Sequence, residues 1–412
     1  MAIPQGERPS ALRPTWLEID LGALARNYVR VRDLVAPRRV WCVVKADAYG
    51  HGADEVSRRL QATGADSFAV ATVDEGRQLR QAGISGRVLV MAGIEPVEVA
   101  ESVAAARAAV EHGLEIAVWR REAAEVLGSA AREAGADPVP LHLKVDTGMG
   151  RLGVTVGDPT EEEDEEADAV RLAAEIDGVE GVRLEGVFST LAAADAPAGD
   201  RGWAHTGLQV ERFAGLCAAL DERGLLPPQR HLSNSAAVLQ HPAAWRAAWC
   251  NGVRPGLSLC GVLPTSEESE TLALEPVMSW HSVVAAVRHI RSGWPLGYGV
   301  ACRAPADCTI AVVPVGYHDG FPRALSDRGE VLVGGRRAQV VGPISMDLTL
   351  VDITGNPAVH PGAPVVLLGS SGEPGAGSIH VHEVARRAGS IAHEILCRVG
   401  ARVPQRFVDP TP

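Results

Sequence analysis

Between residues 16 and 262, short apolar runs alternate eight times with longer stretches rich in Ala, Leu, Arg and Glu. The runs fall at 40–45, 67–72, 88–92, 115–119, 141–146, 184–190, 230–232 and 253–259. The intervening stretches include 54–63, 74–82, 96–112, 120–134, 167–176 and 208–223, each long enough for a crossover helix. Eight such repeats predict an α/β fold, a (β/α)8 TIM-like barrel. An open, doubly wound sheet is the alternative, but no Gly-rich dinucleotide fingerprint follows the first strand. After about residue 263 the texture changes to short β-branched runs at 283–290, 309–314, 331–333, 338–341, 349–353 and 365–368. Gly and Pro punctuate them, and one helical stretch, 380–388, follows. The expected division is a barrel over 20–262 and a mostly β C-terminal domain over 263–412, with residues 1–19 packing on the latter.

Hydrophobic residues make up 46% of the 412, which supplies a large core. The net charge is −12, and the run EEEDEE at 161–166 carries six of the negatives. Charge confined to one short segment reads as a solvated surface loop. No basic cluster is present, which argues against a nucleic-acid partner. The seven cysteines are scattered without a Cys-x-x-Cys pair. That fits reduced thiols in a cytoplasm better than a disulfide framework or a zinc site. The N-terminus lacks an apolar core of signal-peptide length, and no run reaches the length of a membrane span.

Barrel enzymes place their chemistry at the C-terminal ends of the strands. Here those ends carry Lys45, with Tyr49 following; KVDTGMGRLG, from Lys144 through Arg151; Ser189-Thr190; Ser233-Asn234-Ser235; and Arg254-Pro255-Gly256-Leu257. A lysine at the mouth of a buried strand loses solvation, which favours its neutral amine. It can then act as a Schiff-base nucleophile or a proton acceptor; a snorkelling lysine is the other reading. The loops after strands 7 and 8 are where barrels bind phosphate. The Ser235 hydroxyl and the Gly256-Leu257 amides could form a small anion nest there, or be ordinary turn chemistry. A lysine beside a phosphate cup is what pyridoxal phosphate requires.

The segments VVKADAYGHGA, LKVDTGMGRLGV, HLSNSAAVLQHP, VRPGLSLCG, LGYG, VGYHDGFPR and ISMD, in that order, resemble the motif series of the alanine racemases, as does the closing HEILCRVGARVPQRF. These are fold-type III, pyridoxal-phosphate-dependent enzymes. The resemblance implies that Lys45 holds the cofactor and is one of two acid/bases. Tyr298 would be the other, reaching in from a second subunit of a homodimer. Arg254 would face the pyridine nitrogen; a guanidinium keeps its proton, so the ring nitrogen stays unprotonated. Arg151 would contact the cofactor phenolate and the carboxylate of a small amino-acid substrate, helped by the backbone amide of Met346 from the partner. Lys144 matches a position often carbamylated. Tyr49, Ser235, Gly256 and Leu257 would bind the phosphate, with Asn234 beside them. Taken without the motifs, Met346 reads as core packing, Tyr298 as a turn aromatic and Arg254 as a surface arginine before a Pro-Gly turn.

The chain departs from the family in GVFSTLAAAD, where Thr190 and Leu191 replace a histidine and an aromatic residue. That histidine usually lies against the ring and links Tyr298 to Arg254. His393 stands where a tyrosine near the phosphate is usual, and Cys260 replaces another tyrosine. The resemblance implies a racemase of alanine or another small amino acid. The departures keep two alternatives open: a racemase specialised for a different amino acid, or a racemase-fold protein that binds ligand or cofactor without racemising.

Overall fold

The apolar runs of the first 262 residues become parallel strands of a single sheet. The computed structural model describes residues 13–94, 99–157, 165–264, 272–300, 302–370 and 377–409. The chain divides into two compact units, Leu24–Ala48 with Ala53–Leu274, and Met1–Ala23 with Tyr49–Gly52 and Glu275–Pro412. In the first unit the strand order is Arg39–Val40, Gly252–Arg254, Gln229–Asn234, Val182–Phe188, Val139–Asp146, Glu115–Val118, Arg87–Val90, Ser67–Val70 and Cys42–Val43. The first and last members of that series are halves of one strand, interrupted at Trp41. One half pairs with Gly252–Arg254 and the other with Ser67–Val70. The sheet therefore closes on itself, which excludes the open doubly wound alternative.

Closure explains the uniform apolar character of the runs. On Val139–Asp146, Leu141, Leu143 and Val145 alternate with His142, Lys144 and Asp146, and all six are buried. One set faces the surrounding helices and the other the barrel interior. Two strands are shorter than expected. The run at 40–45 ends at Val43, with Lys45 opening a turn, and the run at 253–259 ends at Arg254, because Pro255 has no N–H for a ladder. The helix Leu21–Val35 lies outside the expected elements. Glu165 and Glu166, the end of the acidic run, open the helix Glu165–Asp177, and the rest of that run lies outside the described residues. So do residues 1–12.

In the second unit Trp16–Asp20 lies between Met278–Val283, antiparallel, and Gln405–Val408, parallel. The run at 283–290 is not one strand. Met278–Val283 belongs to this sheet, whereas Ala286–Ile290 joins Cys308–Val313 and Thr349–Asp352 in a separate one. The change of partner falls between adjacent residues: Val284 donates to the Ala363 carbonyl and Ala285 to that of Val312. A second helix, Ala392–Cys397, follows Val381–Ala388. Among the described residues no helix is long and apolar enough to cross a membrane.

One buried carboxylate ties three distant segments of this unit. Asp319 is fully buried and accepts from Arg13 at 2.6 Å, from Arg402 Nε at 2.6 Å and from the Gly316 amide at 2.8 Å. Burial alone would raise its pKa, but the two guanidinium groups and the amide hold it below 3.8. Its contribution to stability is thus present above pH 3.8 and fades on acidification through the lower folded value. Asp319→Ala is expected to lose about 3 kcal/mol at neutral pH, and its stability should fall less between pH 5 and 3 than that of the parent. Urea unfolding at several pH values measures both effects.

Candidate active site

Lys45 opens a single helical turn, Lys45–Gly50, that is wound left-handed. Ala46, Asp47, Ala48 and Tyr49 have φ of +52°, +53°, +51° and +57°. Each such L-residue costs roughly 1–2 kcal/mol, so the surroundings must hold the turn in place. The Ala48 amide donates to the Val44 carbonyl at 2.9 Å. The Ala46 amide donates to Glu75 Oε1 at 2.7 Å, and Asp47 Oδ1 accepts from the Ala53 amide at 2.7 Å. Cys260 lies buried with its sulfur 3.9 Å from the Ala48 carbonyl oxygen. Glu75 is also half of a capping box with Thr72, and its Oε2 accepts from the Ala71 amide at 2.7 Å. One carboxylate thus pins the lysine turn to the end of the neighbouring strand.

Asp146 shapes the loop that carries Arg151. Its carboxylate accepts from the amides of Gly148, Met149 and Arg151 at 2.6–2.8 Å. Burial would raise its pKa, but these amides hold it low. The loop folds back so closely that a Cβ at Gly153 would lie 2.6 Å from the carbonyl carbon of Val145. Arg151 is left exposed. Lys144, on the same strand, is buried and donates to the Met91 carbonyl at 3.2 Å. Burial first, then the charges of Arg151, Arg254 and Lys45, push its amine down to about 8, against the pull of Asp146. Three cationic side chains, Arg151, Arg254 and Lys45, therefore bear on Lys144.

Arg254 is buried at the end of the last strand. Its NH1 donates to His231 Nδ1 at 2.6 Å and to the His231 carbonyl at 2.7 Å. Its NH2 donates to the carbonyls of Ser189, at 2.5 Å, and Leu232, at 3.2 Å. The terminal N–H groups are thus engaged, and Nε–H is the donor left to meet a ligand. Ser235 Oγ accepts from the amides of Gly256 and Ser258 at 3.0 and 3.2 Å. The expected nest is therefore already bonded internally: the Gly256 amide is turned onto Ser235, whose hydroxyl proton remains to be given. Asn234 caps the short helix Ser235–Gln240 by accepting from the Ala237 amide at 3.0 Å, and Leu257, next to Gly256, is buried. Thr190 contributes its carbonyl to Gln209 Nε2 at 3.0 Å, and Leu191 is buried.

In the second unit the Tyr49 and His393 rings meet at 5.9 Å, with His393 exposed. Tyr298 sits on a short 3-10 turn between Gly297 and Gly299, whose φ are +70° and +75°. The ring is 77% exposed, and Met346 is 50% exposed. The Met346 carbonyl accepts from the His318 amide at 3.1 Å. Glu75, His231 and His142 are not among the residues that the sequence singles out. The TVDE capping box at 72–75 is nonetheless a legible signal, and His142 shares the inward register of Lys144.

A closed parallel barrel with lysine and arginine side chains at its strand ends has the architecture of a barrel enzyme. The comparisons with known proteins go further. Residues 19–264 match the family described as "Alanine racemase, N-terminal domain", and residues 277–407 match "Alanine racemase, C-terminal domain". The chain belongs to the alanine racemase family. It is 38% identical to the alanine racemase of Geobacter sulfurreducens, over 97% of this chain and 98% of that one. It is 36% identical to that of Symbiobacterium thermophilum, over 96% and 97%. Among solved structures, the Streptomyces coelicolor alanine racemase superposes with a TM-score of 0.85 at 35% identity, covering 97% of this chain and all of that one. The enzyme from D-cycloserine-producing Streptomyces lavendulae gives 0.84 at 33%, covering 98% and 99%.

Glu75→Ala removes both the capping box and the anchor of the left-handed turn. It is expected to cost about 1–2 kcal/mol and to speed amide exchange at Ala46 selectively, as read by thermal melts and hydrogen-exchange mass spectrometry.

Proposed function

We propose that this protein interconverts L- and D-alanine with pyridoxal 5'-phosphate as its cofactor, in the cytoplasm and as a homodimer. The observation that carries the reading is the buried Lys144, whose amine is pushed down by burial and then by the charges of Arg151, Arg254 and Lys45, in a chain of the alanine racemase family. The donor set fits the cofactor. A primary amine suits its aldehyde, the hydroxyl proton that Ser235 still has to give suits its phosphate, and a buried guanidinium whose terminal N–H groups are engaged, leaving Nε–H, suits its ring nitrogen. When bound, the cofactor supplies the electron-withdrawing system that makes an amino acid's Cα–H acidic.

The chain's own residues do the rest. Lys45 holds the cofactor between turnovers, then takes or returns a proton at Nζ. Tyr298 of a second copy works from the opposite face, because inversion needs removal on one side and return on the other. Arg254 keeps its proton and leaves the ring nitrogen bare. Arg151 and the Met346 amide orient the substrate carboxylate, and Tyr49, Asn234, Ser235, Gly256, Leu257 and His393 hold the phosphate. The lowered pKa of Lys144 leaves part of it as free amine near neutrality, the form that adds carbon dioxide to become a carbamate anion beside Arg151. Exposure of Trp294, Tyr298, Val300, Met346 and Leu348 supports a covering second copy.

In deuterium oxide, L-alanine is expected to give D-alanine carrying deuterium at Cα. Lys45→Ala should abolish this together with the visible band of the bound cofactor; no racemisation by the parent protein would overturn the reading. Lys45→Ala and Tyr298→Phe, each nearly inactive alone, should on subunit exchange recover about a quarter of parental activity, since a mixed dimer keeps one intact site of two. No recovery, with exchange verified by native mass spectrometry, would place both bases in one chain.

A further inference from the structure

Beneath Arg254 the barrel interior holds a linear chain of four side chains. Arg254 NH1 donates to His231 Nδ1 at 2.6 Å; His231 Nε2 lies 3.1 Å from His142 Nδ1; His142 Nε2 lies 2.7 Å from Glu115 Oε2. All four side chains are buried. The chain's ends fix its wiring. A guanidinium can only donate, so His231 Nδ1 accepts and its proton sits on Nε2. His231 Nε2–H then donates to His142 Nδ1, and His142 Nε2–H donates to the carboxylate. Both imidazoles are neutral, and every bond points the same way. Burial first, then the charge of Arg254, holds the His231 pKa well below its ordinary value. Burial would raise the Glu115 pKa, but His142 and Arg87 bring it to about 2. Arg87 bridges Glu115 and Glu185 at the far end.

The framework makes room for this line. A Cβ at Gly186 would collide with His142 Nδ1, so only glycine leaves space for that ring. Phe188 stacks on His231 with centroids 5.2 Å apart, and Trp41 stands edge-on to His142 at 5.5 Å. Arg254 itself touches carbonyls and an imidazole but makes no hydrogen bond or ion pair with a carboxylate among the described residues.

We infer that Glu115, acting through His142 and His231, is a positioning residue that keeps Arg254 a full cation with its Nε–H turned to the ligand, and so keeps the cofactor's ring nitrogen unprotonated. The inference rests on the cofactor reading above. Aligned hydrogen bonds polarise one another, so the carboxylate's charge is felt at the guanidinium. Without that charge Arg254 becomes a stronger proton donor, the ring withdraws more electrons, and a side reaction gains: alanine and pyridoxal phosphate become pyruvate and pyridoxamine phosphate.

The test uses the cofactor-loaded protein with 15N-labelled histidine. In the parent, long-range 1H–15N spectra should show both imidazoles protonated at Nε2 only, with His231 not titrating between pH 6 and 9. In Glu115→Gln the carboxamide can present either a donor or an acceptor, so the tautomers of His142 and His231 should become mixed. Pyruvate formed per racemisation event should rise roughly tenfold. Glu185→Gln, which leaves the chain of four intact, should match the parent in both readouts. Retained tautomers or an unchanged partition in Glu115→Gln overturns the inference. If that variant does not fold, His142→Phe breaks the same line and must raise the partition likewise. A parent without visible cofactor band or racemisation instead refutes the functional reading, while the tautomers of the unloaded protein still test the wiring.

Discussion

A guanidinium removed from water needs compensation of its charge, and much of the barrel's architecture answers that need at Arg254. The carbonyls of Ser189, just past its strand, and of His231 and Leu232, within theirs, converge on this side chain. Burial nevertheless brings the arginine down to about 10. The imidazole of His231 supplies the remaining acceptor. Its ring stacks on Phe188, with centroids 5.2 Å apart, and lies 5.5 Å from Trp41, the residue at which the first strand is interrupted. The same strand delivers Lys45 to the rim.

Much of this was legible in the chain. Eight apolar runs gave the barrel, because strands covered on both faces leave a continuous signal. The change to punctuated β-branched runs gave the second unit. The ends of runs were less legible. The strand switch between Val284 and Ala285 leaves no mark, since both residues suit either sheet and the choice is made by distant partners at Ala363 and Val312. The helix Leu21–Val35 follows its strand without a linker, which hides its start.

For the site, the residues within motifs are legible in the chain and those bonded to them are not. Lys45, Arg151 and Arg254 stand at strand ends, where function is expected. His142 lies within its strand and Glu115 opens its own, and a polar residue in a buried strand has no local cue to its partner 27 positions away. The replacement of the family's histidine by Thr190 drew attention to the ring face. The structure shows Arg254 tied instead to His231, on a neighbouring strand and in a register the sequence could not supply.

The left-handed turn after Lys45 has a consequence for which residues can follow that lysine. Its backbone occupies the mirror image of the usual helical well, so the ordinary preferences of L-amino acids are reversed there. β-Branched side chains are disfavoured there. Ala46, Asp47 and Ala48 are small or polar, and Tyr49 is the one bulky side chain in the turn. In a chemically synthesised protein, D-alanine at 46 and 48 would sit in its own preferred basin. The product of the proposed reaction is thus the residue whose handedness the segment beside its lysine would most readily accept.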